Sequence, residues 1–375
     1  MRYGVISGIK TLVITLTAGA AVAALLIFSG AVTEGVKSGL TSAAQILIPS
    51  LFPFMVISSF LIRSGALDRP ARLLAPINGF LFRLPRDASV ALILSFLGGF
   101  PVGAKCVRLL YDEGKIDSAQ AEQMMTFCVC SGPAFLVTGV GTLLLHESLL
   151  GLILYLSQVL SGIILGIVSG RIYSHKKGIS SKESHRSKAP KAKVSPLEAF
   201  VMSCSDGAVS IIGLSAMVAL FGVIISLCEV MGISELLSGM LGALGADIPL
   251  SQNILYVILE VTRACSSIGS GGCPLWLFSF AVGFGGLCVH FQIFSILGDI
   301  PLSKLRFFVF RLMNAFLSSV IVYIVCLFYQ PDREASLTLG GFELEYGAVS
   351  ATGAAALVLM CVIFVLSLRI RSTKN

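Results

Sequence analysis

Apolar residues in this sequence arrive in blocks of about twenty, the length a helix needs to cross hydrocarbon, and no other feature restricts the fold so strongly. A chain inside lipid must pair its backbone N–H and C=O groups within its own segment, so blocks of this length are helices. Full blocks cover roughly 12–30, 39–62, 124–145, 149–170, 208–231, 274–297, 307–329 and 348–368. Two more stretches, near 88–109 and 250–270, are interrupted by glycine, proline or charge and read as re-entrant hairpins. Composition agrees, with 55% apolar residues, 13% charged residues and a mean hydropathy of +0.92; soluble domains carry about 25% charged residues. The expected fold class is therefore an all-α polytopic membrane protein, with about eight transmembrane helices plus two re-entrant or broken segments.

The formal charge of +7 does not indicate a nucleic-acid partner, because the basic residues sit in loops between apolar blocks. Segment 171–196 holds Arg171, Lys176, Lys177, Lys182, Arg186, Lys188, Lys191 and Lys193 against Glu183, and reads as a cytoplasmic linker. The C-terminus, with Arg369, Arg371 and Lys374, belongs on the same side, as does a loop carrying Lys304, Arg306 and Arg311. Glu229, Glu235, Asp247, Glu343 and Glu345 fall opposite. Residues 1–38 read as an uncleaved first span, which leaves both termini cytoplasmic and the chain integral to a bacterial cell membrane. The ten cysteines lie mostly in apolar blocks and show no zinc spacing, so no metal or cofactor is expected. There is no HExxH, GxSxG or Walker sequence, and the chain is not read as an enzyme.

Residues 39–145 and 208–297 share an order of events: a full span, an amphipathic stretch, an interrupted apolar segment, then a span containing glycines. Gly65 and Gly232 match at an offset of 167 residues, which also carries Gly98–Gly99 onto Cys265–Ser266. The charge-derived topology sends 39–62 inward and 208–231 outward, so the halves are expected to be inverted copies, as in many secondary transporters. The chain then divides into an N-terminal helix (1–38), a first half (39–170), the linker (171–196), an inverted second half (197–329) and a C-terminal loop with a last span (330–375).

Four places carry residues that lipid tolerates only for a reason. In the first, Gly99, Phe100, Pro101 and Gly103 break a helix just before Lys105, which is either a site cation or a snorkelling lysine. In the second, Ser131, Gly132 and Pro133 either kink a span or start a new half-helix whose free N–H groups face an anion. In the third, Glu260 and Arg263 share a helix face near Thr262 and Ser266, as a substrate path or as a structural ion pair. In the fourth, Gly285 and Gly286 precede His290 and Gln292, which read as carboxylate-binding, proton-coupling or core groups.

Together with Ser50–Phe54, these motifs resemble the YlbJ-type sporulation integral membrane proteins (the stage V sporulation dipicolinate transporter family). That family lies within the nucleoside-recognition, or Gate domain, group, which is similar to concentrative nucleoside transporters. The resemblance spans residues 39–311, with the motifs in the expected order. It implies carriage of dipicolinic acid across the outer forespore membrane, with a nucleoside-like solute or a non-transporting scaffold role as alternatives. It leaves open a coupling H+ or Na+, and a homo-oligomer. Lys105, Arg263, His290 and the half-helix starts are the groups that would meet a dicarboxylate on this expectation.

Overall fold

The structure, a computed structural model, describes residues 2–66, 68–176, 195–243, 248–270 and 273–329. Most of the basic linker and the expected last span at 348–368 lie outside the described residues. What is described is helical from end to end: α1 (Arg2–Ile27), α2 (Ser29–Ser42), a π-helical turn (Ala43–Leu47), α3 (Ile48–Arg63), α4 (Asp68–Leu81), α5 (Ala88–Gly98), α6 (Phe100–Asp112) and α7 (Ser118–Met125). Next come a π-helical segment (Ala134–Leu144), α8 (Ser148–Lys176), α9 (Pro196–Val230), α10 (Ile233–Ala243), α11 (Ile248–Leu259), α12 (Val261–Ser270), α13 (Leu275–Phe284), α14 (Gly286–Leu297) and α15 (Lys304–Phe328).

Among the described residues, 4 segments are long and apolar enough to cross a membrane: Ser148–Tyr173, Pro196–Val230, Leu275–Leu297 and Lys304–Phe328. A fifth is available only as the pair Thr11–Ile27 and Ser29–Leu47, which bends by 90°. This is an integral membrane protein with several apolar spans, and fewer of them are clean crossings than the apolar blocks predict. The expected span 124–145 is not one helix. It ends at Met125, runs without regular helix through 126–132, and restarts at Ala134, because Gly132 and Pro133 cannot continue an α-helix.

The chain from α2 through the π turn to α3 is continuously helical over 29–63, and α9 covers 196–230, so both ends of the two long helices differ by the same 167 residues. Their caps match too. Gly65 has φ 67 and donates to Ile62 O at 3.2 Å, while Gly232 has φ 73 and donates to Glu229 O at 3.1 Å. Left-handed backbone is where glycine ends a helix at least cost.

The two long helices pack antiparallel, in contacts close enough to exclude side chains. A Cβ on Gly39 would lie 2.6 Å from the Ala219 Cα, and one on Gly207 would lie 2.8 Å from the Val56 side chain and 3.4 Å from Phe52. Removing the offset turns the first contact into 39 with 52 and the last into 40 with 52. The packing is therefore reciprocal. Beyond these helices the same order recurs twice: a short helix (α4, α10), a broken pair (α5–α6, α11–α12), a second broken crossing (126–144, α13–α14) and a long helix (α8, α15). The offset does not persist. The second broken pair parts at Glu260, ahead of the Cys265–Ser266 onto which the offset carries Gly98–Gly99.

Candidate functional site

In each half, the break of the hairpin touches the break of the crossing that follows it. Gly99 parts α5 from α6 with φ 84, and a Cβ there would lie 3.1 Å from Gly132 N; a Cβ on Gly132 would lie 3.0 Å from Gly99 N. Gly103, one turn along α6, sits where any side chain would overlap the Cys128 carbonyl. In the second half, Gly285 (φ 85) and Gly286 (φ 70) part α13 from α14, and a Cβ on Gly286 would lie 3.1 Å from Glu260 N. Glycine permits both the left-handed backbone and the contact of main chain with main chain.

Three of the four breaks, at Gly99, Gly132 and Glu260, border one cavity of about 30 Å³, and α14, which starts at the fourth, adds Val289 and Gln292 to its wall. Its wall takes Gly99, Phe100, Pro101, Ser131 and Gly132 from the first half, and Glu260, Thr262 and Gln292 from the second. Leu47, Leu51, Leu214 and Val218 of the long helices close it with apolar surface. The Ser131 hydroxyl is buried and without a hydrogen-bond partner, and the buried Thr262 hydroxyl has the Glu260 carboxylate beside it. Buried polar atoms are paired in more than about nine cases in ten, so the orphaned Ser131 hydroxyl marks the cavity as a place for another polar group.

The half-helix starts around the cavity are not equivalent. α6, the Ala134–Leu144 segment and α14 begin without a side-chain cap. The start of α12 is filled from within the chain. Glu260 Oε1 accepts from Thr262 N at 2.9 Å, and its Oε2 accepts from Arg263 N at 2.7 Å. A carboxylate on two N–H groups at a positive helix end is well placed electrostatically. It also means that this start does not offer its free N–H groups to a solute anion.

Residues 44–147 match the Gate family, described as nucleoside recognition. Over these residues the chain is similar to that family. The match takes in both breaks of the first half, at Gly99 and Gly132. Over 314 residues the chain is 25% identical to the sporulation integral membrane protein YlbJ of Bacillus subtilis (strain 168), covering 78% of this chain and 77% of that protein. No solved structure matches.

Around the cavity, the remaining expected residues divide. Gly103, Pro133, Gly285 and Gly286 shape the breaks without lining the cavity. Lys105 turns away from it: its Nζ lies 3.3 Å from Ser210 Oγ and 3.5 Å from the Asp206 carbonyl on α9. Arg263 does not pair with the Glu260 carboxylate through its side chain. The guanidinium instead donates to Ser38 Oγ at 2.7 Å and lies 3.7 Å from Glu229, whose carboxylate also accepts from Tyr256 OH at 2.6 Å. Ser266 is exposed on the outer face of α12. His290 is fully buried among Phe284, Phe307 and Phe308, with ring centroids at 4.9, 5.3 and 4.8 Å, and its Nε2 lies 2.9 Å from the Phe284 carbonyl. Its surroundings are those of a core residue.

Two charged groups are not where the sequence pattern predicts a role for them. Arg311, expected in a cytoplasmic loop, lies inside α15 and is 1% exposed. Its guanidinium donates to the carbonyls of Val129, in the first half's irregular segment, and Gly283, at the end of α13, and lies 5.7 Å from the centre of the Phe100 ring. One side chain thus ties a broken crossing of each half, with Phe100 between it and the cavity. Asp206 on α9 pairs with Arg63 at the end of α3, and Ser59 donates to it at 3.4 Å. The signal for Arg311 was available in its spacing: it stands seven residues into an apolar helix, too deep for a loop.

Proposed function

We propose that the protein is a secondary carrier for a small organic anion, dipicolinate first and a nucleoside-like solute second, working by alternating access. The reading takes residues 39–170 and 197–329 as halves of opposite topology. Reciprocal antiparallel packing of the two long helices and the repeated order of broken elements support it. Discontinuous helices that meet at one place are how many carriers build a midplane site. The observation that carries the proposal is the orphaned, buried Ser131 hydroxyl, which lines one cavity with the buried Thr262 hydroxyl of the opposite half.

The chemistry follows from the wall. Unpaired N–H groups at the start of α6 and the hydroxyls of Ser131 and Thr262 donate to a carboxylate, and the Phe100 ring and the leucines face a planar apolar body. Arg311, held behind Phe100 on carbonyls alone, places a positive charge behind the first half's wall, opposite the Glu260 carboxylate of the second. Glu260 opposes a bound anion unless a cation compensates it, so anion entry is linked to uptake of H+ or Na+ at that carboxylate. The cavity has room for about one water molecule, so the state described is closed and the halves must part to admit a solute.

The test is dipicolinate and uridine uptake by proteoliposomes containing wild type, Ser131→Ala, Thr262→Val and the double variant, under imposed pH and Na+ gradients. Removing both hydroxyls should cut uptake at least tenfold, and uptake should follow one of the two gradients. Wild-type vesicles that carry neither solute, or a double variant with unchanged flux, would refute the carrier or the site respectively. Uridine carried in preference to dipicolinate would replace the anion by the nucleoside reading. Restoration of spore maturation by a transport-dead variant would favour the scaffold role.

A further inference from the structure

A second cavity, of about 250 Å³, lies outside the site at the breaks. Three cations converge on it from three different elements: Arg72 on α4, Arg86 just ahead of α5, and Lys115 in the turn after α6. Asp87 is the acid in its wall, and Lys115 is paired at 2.8 Å with Glu113. Arg72 and Arg86 make no ion pair among the described residues. Leu61, Ile62, Val90 and Leu110 line the rest. The cavity is thus cationic at its rim and apolar in its wall.

Its position decides what such a cavity would hold. α4 carries Leu73, Ile77 and Phe80 along one face at 79%, 52% and 85% exposure, spaced four and three residues apart. Asn78, on another face, is buried and bonds the Pro85 carbonyl at 2.9 Å, which ties the helix down ahead of α5. A short amphipathic helix with large apolar side chains facing outward, in a chain otherwise built of apolar spans, lies in the plane of the membrane interface. The rim arginines therefore sit at headgroup depth. This is also the side to which Lys/Arg placement assigns the cytoplasm, where the leaflet is anionic.

We propose that this cavity is a binding site for the phosphate headgroup of an anionic phospholipid. Arg72 and Arg86 grip the phosphodiester through their planar forks, and Leu61, Ile62 and Val90 meet the first methylenes of its chains. Arginine suits this role because its guanidinium presents paired donors to phosphate oxygens and is weakly hydrated. The lipid would bridge α4, α5 and α6, and so brace the hairpin that ends at Gly99.

The experiment uses full-length protein in a neutral detergent and follows its thermal unfolding with added phosphatidylglycerol, phosphatidylcholine or inorganic phosphate. Phosphatidylglycerol should raise the melting temperature of wild type, and the other two should not. Arg72→Gln with Arg86→Gln should weaken the phosphatidylglycerol effect at least tenfold in concentration, while melting without lipid stays within about 1 °C, because both side chains are exposed and unpaired. Leu73→Ser with Phe80→Ser leaves the arginines in place and should weaken the lipid effect less. An undiminished phosphatidylglycerol effect in the arginine double variant would overturn the site. An equal effect of phosphate on wild type would overturn the lipid as its ligand. Neither outcome depends on whether the protein carries a solute.

Discussion

Arg311 offers the sharpest test of how the two broken crossings are held. Its guanidinium reaches the Val129 and Gly283 carbonyls at once, and no carboxylate is paired with it among the described residues. Hydrogen bonds to a charged group contribute about 1.5–3 kcal/mol each. Gly283 O keeps a second donor, Asn314 Nδ2 at 3.3 Å, whereas Val129 O has no other donor shown. An ammonium cannot reproduce the fork, so Arg311→Lys retains a buried charge and forfeits one of the two bonds. The expected loss is about 1.5–3 kcal/mol, or roughly 3–6 °C at the 2 °C per kcal/mol typical of larger domains. Arg311→Met orphans the Val129 carbonyl but removes the cost of burying a cation, and should melt no lower than the lysine variant. Apparent melting in detergent, followed by size-exclusion of heated samples, reads both. A lysine variant within 1 °C of wild type would refute the two-carbonyl clamp.

Gly286→Ala places a Cβ 3.1 Å from Glu260 N on a backbone with φ 70; it should cost at least the 1–2 kcal/mol or so of a left-handed L-residue, seen as lower yield and melting temperature. Gly213→Ala, inside α9 where nothing lies within 4 Å of the added methyl, is the control and should leave melting unchanged or slightly raised. The pH response of the α14–α15 loop follows from Asp299, whose carboxyl is held below its usual range by a 2.5 Å hydrogen bond from Arg108. A depressed folded pKa means that its contribution is complete above the unfolded value near about pH 4 and is lost as pH falls through the folded one. Asp299→Asn should therefore lower melting slightly at pH 7, and the difference from wild type should begin to shrink below about pH 4 and vanish as pH falls through the lower folded value.

Much of the fold was legible because lipid allows few solutions. The long helices at 149–170, 208–231 and 307–329 stand where the apolar blocks put them, and Gly65 and Gly232 end their helices alike because both adopt left-handed backbone. Breaks at Gly99 and Gly285 were legible from glycine, and the break at 126–132 was underestimated because its Cys and Val residues keep the hydropathy of a span. The side-chain partners were less legible. Glu260 and Arg263 share a helix face, yet Glu260 turns to the backbone of its own helix start and Arg263 to Ser38 on α2, a partner 225 residues away. Spacing along a helix reports which residues share a face. It does not report whether free N–H groups at a break, or a hydroxyl from a distant helix, outcompete the neighbour. Arg311 was misplaced for a related reason: charge counting assigns cations to loops, whereas the free carbonyls of two broken helices can hold one inside.

The two halves solve the same steric problem with different chemistry, and that difference bears on how a carrier of this plan would couple. In the first half a glycine break rests on a glycine break, Gly99 on Gly132, and no ionisable group enters the contact. In the second, Gly286 rests on Glu260, so the contact carries a carboxylate whose oxygens are held by two backbone N–H groups. Any motion that parts α12 from α14 disturbs the surroundings of that charge, and a change in its solvation changes its affinity for a cation. Parting the Gly99–Gly132 contact moves only backbone dipoles. On the carrier reading, ion coupling belongs to the second half, and Glu260→Gln should abolish gradient dependence while solute binding persists. A Glu260→Gln protein whose uptake still follows the pH or Na+ gradient would place the coupling group elsewhere.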